Sequence, residues 1–169
     1  KVVTAASHKW FRIKATAEHY FTRGWYRPGV YAEAVLSNQK FFTNYFGTII
    51  NAPAFFPLQD SRTLLLENFR AFNYAAFGVR NVFTIKDKLD FRLEAYAFKP
   101  FEHIKEAGNQ DAVDQMEFTQ LFFAGTGSVV FHSPVGPVAL SVNYYDDPEN
   151  RFGVLLHVGF LLFKNHILE

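Results

Sequence analysis

The 169-residue sequence predicts an all-β fold, an antiparallel transmembrane β-barrel of which eight strands are present. Three observations point to this class. Apolar and polar residues alternate with period two along eight segments, as in strands with two unlike faces. Most of these segments exceed the length of an average strand, about 5 to 6 residues. Long and short connections alternate between them, as in outer-membrane barrels.

The predicted strands follow one another along the whole chain, at residues 9–21, 29–37, 41–51, 73–84, 88–99, 119–133, 137–146 and 151–163. Tight turns are expected at 38–40, 86–87 and 134–136. Longer connections are expected at 22–28, 52–72, 100–118 and 147–150. An even number of strands places both chain ends on the short-turn side, which is the periplasmic side of such barrels.

The two faces are plainest in the segment KLDFRLEAYAF, residues 88–98, where apolar residues from Leu89 to Ala97 alternate with Lys88, Asp90, Arg92 and Glu94. A soluble antiparallel sandwich would alternate in the same way, with its apolar side buried. Strand length, the connection pattern and aromatic residues near strand ends favour the membrane. These aromatic residues are Trp10, Tyr20, Phe21, Trp25, Tyr26, Phe41, Phe42, Tyr144 and Tyr145. We therefore expect the apolar sides to contact acyl chains and the charged sides to face a wet lumen.

Composition narrows the functional classes. The net charge is +1 and no basic run is present, so no nucleic-acid partner is expected. Without cysteine there is no disulfide or thiolate site, and the six histidines lack metal-ligand spacing, so neither metal nor cofactor is expected. No Gly-x-Ser-x-Gly elbow occurs, which predicts that this chain holds no catalytic residues and is not itself an enzyme.

Charged residues of both signs fall on the predicted lumen face. Asp90, Arg92 and Glu94 are the expected lumen partners, within a network that also includes Arg12, Lys14, Glu18, Glu33 and Arg80. Because neither sign dominates, the network is expected to brace the wall rather than to select ions.

The C-terminal hairpin carries a more specific pattern. The segment FHSPVGPVALSVNYY, residues 131–145, resembles the last hairpin of the bacterial surface-antigen barrel superfamily, where a Ser-Pro-x-Gly-Pro turn joins the last two strands. Ser133, Pro134, Gly136 and Pro137 match that turn. The tail HVGFLLFKNHILE resembles the closing strand that the barrel assembly machinery reads. In this resemblance, the signal residues are His157, Gly159, Leu162 and Phe163.

The segments INAPAFFPLQDSRTLLLENFRAFNYAAFGVR and FRLEAYAF resemble a narrower branch, the bacterial patatin-like phospholipases that end in such a barrel. This resemblance implies that residues 1–169 are one incomplete domain, the C-terminal half of a sixteen-stranded barrel in the bacterial outer membrane. It also implies that a lipid acyl hydrolase domain and the first half of the barrel lie upstream. The expected partners are outer-membrane lipid, the barrel assembly machinery, and either the missing N-terminal strands or another chain.

The connection at 52–72 is long for a compact domain, which indicates function or disorder. In the superfamily the corresponding loop folds into the lumen and carries a Val-Arg-Gly-aromatic tip. Phe69, Arg70, Ala71 and Phe72 match that tip, with Ala71 in place of the glycine. The resemblance implies that Arg70 pairs with Glu94 or Asp90. A solvated surface arginine is the alternative.

A second functional class stays open, a self-contained eight-stranded barrel that binds a small ligand or lipid, like a lipocalin. Such a small barrel has an interior just filled by side chains. The long side chains expected on the inner wall, together with the 52–72 loop, favour the larger barrel.

Overall fold

Seven antiparallel strands form one continuous sheet in the described part of the chain. The computed structural model describes residues 9–42, 44–107, 112–115 and 120–159. The strands are β1 (Arg12–Tyr20), β2 (Tyr26–Ser37), β3 (Tyr74–Lys86), β4 (Leu89–Pro100), β5 (His103–Glu106), β6 (Ala112–Gln115), β7 (Phe122–Ser133), β8 (Gly136–Tyr145) and β9 (Phe152–Val158). The main sheet has the order β1-β2-β3-β4-β7-β8-β9, and β5 and β6 form a separate hairpin.

This architecture confirms the antiparallel all-β class, and most predicted strands lie within a few residues of the observed ones. The main sheet is open, with β1 and β9 as its two edge strands among the described residues.

The predicted strand at 41–51 is wrong, because the chain forms a helix there, α1 (Tyr45–Asn51). Asn44 caps it, its side-chain Oδ1 accepting a hydrogen bond from the backbone N–H of Gly47 at 2.9 Å. Tyr45 and Ile49 lie one helical turn apart, and both are buried. No helix in the described ranges is long and apolar enough to cross a membrane.

Because residues 41–51 do not form a strand, the connections lie at different ends of the sheet from those predicted. Residues 21–25, 87–88 and 134–135 make short connections at one end of the sheet, which we call the short-loop end. Residues 38–73, 101–121 and 146–151 connect strands at the opposite, long-loop end. The first connection, expected among the long ones, therefore lies with the tight turns. β1 begins at the long-loop end, where Arg12 pairs with Ser37, so the prediction that both ends of the series share the short-turn side is wrong.

The two faces of the sheet differ in chemistry and in exposure. The outer face carries exposed apolar side chains, such as Leu93, Leu140 and Leu156, whose exposed fractions are 48%, 51% and 66%. The inner face carries polar and aromatic side chains that are largely covered, such as Glu33 and Asp90, which are 5% and 4% exposed. A soluble sheet with one buried face has the opposite arrangement, with its apolar side chains inside.

Aromatic rings lie on the outer side near both ends of the strands. At the short-loop end they form a row of four, Trp25, Tyr26, Phe83 and Phe91. Ring centroids in this row are 4.9 to 6.3 Å apart. At the long-loop end, the rings of Tyr144 and Phe152 are 5.3 Å apart.

Residues 52–72, which we call the covering segment, lie against the inner face. The segment contains two short 3-10 turns, Asp60–Arg62 and Glu67–Phe69, and its two ends are joined by a bridge between Ala54 and Arg70. It contributes Phe55, Leu58, Leu66, Phe69 and Ala71 to the main core. The inner face supplies the other side of that core, with Val35, Tyr74, Ala76, Tyr96, Phe98, Ala124 and Tyr145.

A second, smaller core lies at the long-loop end. It joins α1 to the covering segment and to the β5–β6 hairpin, through Tyr45, Ile49, Ala52, Phe72 and Ile104. Helix and hairpin therefore pack on each other and on the covering segment at that end.

Candidate functional site

The inner face carries an ionic network centred on Arg80 of β3. Its Nη1 pairs with Glu18 of β1, and its Nε lies 3.5 Å from Oε2 of Glu94 on β4. Its Nε also donates a hydrogen bond to the hydroxyl of Tyr96. The guanidinium carbon lies 4.9 Å from the ring centroid of Tyr31 and 5.5 Å from that of Tyr96. One cation on β3 therefore contacts β1, β2 and β4.

Two glycines give the tyrosine rings of this network their positions. Gly78 lies directly opposite Tyr96 on the neighbouring strand, and Gly29 lies opposite Tyr20. A Cβ at either glycine would overlap the ring of the opposite tyrosine. Each ring can therefore lie across the bare backbone and direct its hydroxyl at Arg80, a cross-strand arrangement known to support sheet glycines.

A buried carboxylate, Glu33, holds the long-loop half of the face together. Its Oε1 lies 2.9 Å from Nζ of Lys14 and accepts a hydrogen bond from the Tyr74 hydroxyl at 2.6 Å. Its Oε2 accepts a hydrogen bond from the Tyr31 hydroxyl at 2.5 Å. A carboxylate held by three donors acts as a cross-link between β1, β2 and β3.

Asp90, one of the predicted lumen partners, lies on the inner face near the short-loop end. Its Oδ2 is 3.1 Å from Nη2 of Arg27 and 3.0 Å from Nε2 of His132. Its Oδ1 accepts a hydrogen bond from the Thr84 hydroxyl at 2.9 Å. These contacts tie β4 to β2, β3 and β7.

Arg92, a second predicted lumen partner, stands between Asp90 and Glu94 on the same face of β4. Asp90 is already engaged by Arg27, Thr84 and His132. Glu94 is already engaged by Arg80 and Tyr96. Arg92 makes no hydrogen bond or ion pair with another described residue, and its Nε is buried.

The covering segment is fixed to the wall by aromatic packing and by polar contacts. Phe69 is fully buried, and its ring lies 5.6 to 6.2 Å, between centroids, from those of Phe98, Phe122 and Tyr145. Asp60 of the segment accepts a hydrogen bond from the hydroxyl of Tyr145. The segment is thus bound to strands β4, β7 and β8.

The predicted loop tip, Phe69 to Phe72, lies within this contact. Phe69 and Ala71 are fully buried in the main core, and Phe72 is fully buried in the smaller core, where its ring is 5.5 Å from that of Phe41. The methyl group of Ala71, which stands in place of the glycine, is thus accommodated in the core.

Arg70 does not pair with Glu94 or Asp90, so that prediction is wrong in this structure. Its Nη1 donates hydrogen bonds to the carbonyl oxygens of Ile49, at 3.1 Å, and Ile50, at 3.4 Å. The physical reason is local, because the last carbonyls of a helix lack intrahelical donors and α1 ends beside this side chain.

The predicted C-terminal signal is described only in part. Nδ1 of His157 lies 3.2 Å from Nε2 of Gln59 in the covering segment, and the backbone N–H of Gly159 donates to the carbonyl of Pro137 at 2.8 Å. Leu162 and Phe163 lie outside the described residues.

The predicted turn before β8 forms a two-residue connection. The hydroxyl of Ser133 accepts a hydrogen bond from the backbone N–H of Gly136 at 3.2 Å. Gly136 has a φ of 147°, a conformation that favours glycine. Ser133 and Gly136 therefore have distinct roles in this turn.

Sequence reasoning missed the contact between α1 and the covering segment. The Tyr45 hydroxyl donates to Oε2 of Glu67 at 2.8 Å. Burial, together with the hydrogen bond to Glu67 and the charge of Glu67, raises the pKa of Tyr45 above its ordinary value, so the hydroxyl stays a donor at neutral pH. The available signal was Asn44 as a helix cap before Tyr45 and Ile49.

Chemically, the described inner face is a braced polar wall. Glu33, Asp90 and Glu94 each contact at least two donor groups. Within the described ranges, no group of three or more His, Asp or Glu side chains could hold a metal ion.

Comparison with known proteins gave no match to the chain, whether among protein-family models, curated proteins or solved structures.

Proposed function

We propose that this chain forms part of the wall of a bacterial outer-membrane β-barrel. The observation that carries the proposal is the inversion of the two faces, with apolar side chains exposed outside and ionic side chains, including the buried Glu33 and Asp90, inside. Aromatic rings at both ends of the outer face add support, since transmembrane barrels carry such girdles on either side of an apolar band.

Lipid is the solvent that suits the outer face. Its exposed apolar side chains run across the main sheet, including Phe77, Val79, Leu93, Val129, Leu140, Val142, Val154 and Leu156. Contiguous apolar patches of soluble monomers are usually limited to about 300 to 600 Å². In acyl chains the same surface has no unfavourable contact with water.

The edge strands β1 and β9 need hydrogen-bonding partners if the sheet lies in a membrane. Unpaired N–H and C=O groups cost several kcal/mol each in the hydrocarbon region. We therefore place further strands of the same barrel, or strands of another chain, beside β1 and β9.

The proposed biological role is that of anchor or translocator for a patatin-like phospholipase, with hydrolysis in another domain of the same protein. The support is the resemblance of residues 50–80, 91–98 and 131–145. Two features of the structure agree with that resemblance, namely the tight turn between β7 and β8 and the covering segment folded onto the polar face.

Tryptophan fluorescence tests the membrane assignment, because the chain has only two tryptophans, Trp10 and Trp25. Both are replaced by Phe, and one reporter is introduced, either Leu140→Trp on the outer face or Ser141→Trp on the inner face. The variants are reconstituted in vesicles whose lipids are brominated near the middle of the acyl chain. Bromine should quench the reporter at 140 strongly and the reporter at 141 weakly.

The two reporters are adjacent residues of β8, so each is the control for the other. Equal quenching by bromolipid would contradict the assignment of faces. A chain that stays monodisperse without detergent, with the reporter at 140 open to aqueous acrylamide, would instead favour the lipocalin-like alternative.

The link to a phospholipase has its own test, the coding sequence upstream of Lys1. Eight further period-two strands, preceded by a Gly-x-Ser-x-Gly elbow, are expected there. A different domain in that position would refute the link and leave the barrel assignment in place.

A further inference from the structure

A cavity of about 340 Å³ lies between the covering segment and the inner face. Residues 57–59 form one side, and β3, β4, β7 and β8 form much of the rest. Five polar side chains that line it make no hydrogen bond with any other described residue, namely Arg92, Thr126, Ser128, Ser141 and Asn143.

This shortage of partners is unusual for groups so well covered. Asn143 is 2% exposed and Ser128 is 6% exposed. Nε of Arg92 and Oγ1 of Thr126 are buried atoms without a hydrogen-bond partner. Buried polar groups in proteins are nearly always hydrogen-bonded, so these side chains can offer hydrogen bonds to a ligand in the cavity.

One ionic side chain of the cavity, Arg92, has no direct partner, and its donors indicate the kind of ligand. Arg80 and Glu94, the other ionic side chains that line it, contact each other, and Arg80 also pairs with Glu18. Arg80 and Arg92 balance Glu18 and Glu94 in formal charge, but the guanidinium of Arg92 is the ionic group of the described lining that makes no direct ion pair. A guanidinium fork beside hydroxyl and amide donors suits an oxyanion, which accepts several hydrogen bonds at once.

We propose that this cavity binds a small molecule of the phosphate class, with the oxyanion held by Arg92 and by the hydroxyls of Thr126 and Ser128. Ser141 and Asn143 are available for polar groups elsewhere on the same molecule. The volume lies within the range of about 300 to 1,000 Å³ that small-molecule sites occupy, so a phosphate monoester fits as well as free phosphate. The site is independent of which solvent contacts the outer face.

Isothermal titration calorimetry of the full chain in neutral detergent micelles tests the site, with chloride keeping the ionic strength constant. The probes are inorganic phosphate and glycerol 3-phosphate. We expect saturable binding at one site per chain. Arg92→Gln should weaken it about tenfold or more, because it removes a charge-assisted hydrogen-bond donor. Tighter binding of glycerol 3-phosphate would indicate a phosphate ester, as in a lipid headgroup, and equal or weaker binding would indicate free phosphate.

Lys88→Gln is the matched control, because it removes one positive charge from an exposed position in the turn before β4. It should change binding less than about twofold, as expected for a distant exposed charge. Thr126→Val removes only a hydroxyl and should weaken binding about three- to tenfold, which provides a second test if Arg92→Gln does not fold. Absence of saturable binding, or equal losses in the Arg92 and Lys88 variants, would overturn the proposal. Neither result would bear on the membrane assignment, which is read from lipid contact.

Discussion

At the scale of single residues, the arrangement of the inner face depends on the absence of a side chain at Gly78 and Gly29. Each glycine leaves room for a cross-strand tyrosine ring to lie on the backbone. The ring of Tyr96, 2% exposed, is confined there between β3 and the core under the covering segment. Its hydroxyl then reaches both Arg80 and Glu94. The space that Gly78 leaves for the Tyr96 ring therefore determines where the Tyr96 hydroxyl meets the ionic network.

Gly78→Ala should destabilise the fold by about 1 to 3 kcal/mol, the usual cost of overpacking a well-packed site. The added methyl group would overlap the ring of Tyr96, which is too buried to swing away without losing Arg80. The measurement is urea unfolding of the protein in detergent or lipid, followed by tryptophan fluorescence.

Gly127→Ala is the control, since it lies in β7 and a Cβ there would meet nothing within 4 Å. It should leave the free energy of unfolding unchanged or raise it by up to about 1 kcal/mol. Equal destabilisation by the two substitutions would show that the close approach of Tyr96 is not what Gly78 provides.

At the scale of elements, the covering segment is held mainly by its aromatic residues. Phe55, Phe69 and Phe72 are each at most 1% exposed, and burial of such a side chain contributes about 1.5 to 3 kcal/mol. Lengthening a loop is inexpensive by comparison, at about 0.6 kcal/mol for each doubling of its length. The segment can therefore remain seated without an ion pair from Arg70.

Arg70→Ala should loosen α1 and leave the covering segment in place. The substitution removes the donor to the carbonyls of Ile49 and Ile50, a local loss of about 1 to 2 kcal/mol. Limited proteolysis with thermolysin, analysed by mass spectrometry, should show faster cleavage within residues 38–51 and unchanged protection of residues 55–69.

Arg62→Ala is the matched variant, because Arg62 is an exposed arginine of the same segment. Its cleavage pattern should equal that of the unmodified chain. If Arg70→Ala instead exposed residues 55–69, the side chain would be anchoring the segment itself, as the original resemblance implied.

Most strands could be predicted from the sequence, and the reason is physical. With one face apolar and the other polar, each side chain of a strand is assigned to one face of the sheet, and period two records that assignment. Residues 41–51 also alternate and are rich in aromatic and β-branched residues, which is why they were expected to form a strand. The cap at Asn44 and the burial of Tyr45 and Ile49 outweighed that propensity.

The sequence predicts which charged residues share the inner face, but not which of them pair with each other. Period two places Arg80, Asp90, Arg92 and Glu94 on one face. The identity of each partner depends on register between strands and on the path of the covering segment, which local sequence does not contain. Arg80 pairs with Glu94, and Arg70 lies beside the end of a helix that the sequence pattern does not predict.

At the scale of the whole molecule, the sheet has an apolar outer face and a polar inner face that the covering segment partly covers. Leu140 is an example from the outer face, because it lies between Val129 on β7 and Leu156 on β9 and is half exposed. In water, substitutions at exposed positions usually change stability by less than about 0.5 kcal/mol. In a bilayer the same position would be within hydrocarbon.

Leu140→Arg therefore separates the two environments. On the lipid-facing side of a barrel near the midplane, arginine costs about 2 to 4 kcal/mol. We expect a loss of that size when the variant is unfolded by urea from vesicles. A change below about 0.5 kcal/mol would match a water-exposed surface and contradict the membrane assignment.

Tyr144→Arg serves as the comparison, because Tyr144 is on the same face of the same strand but next to its long-loop end. A position near the interface should lose only about 0 to 1 kcal/mol. Equal losses at 140 and 144 would mean that the cost does not depend on depth.

The covering segment also constrains the order in which a complete barrel can assemble. It belongs to the connection between β2 and β3, which are hydrogen-bonded neighbours, yet it lies across the inner face as far as β8. If added strands join β1 to β9 and close the ring, the segment is enclosed by a continuous wall. Its three buried phenylalanines would then have to pass through the mouth of the ring. On the proposed barrel, we therefore expect the segment to pack on the inner face before the last strand pair closes the ring.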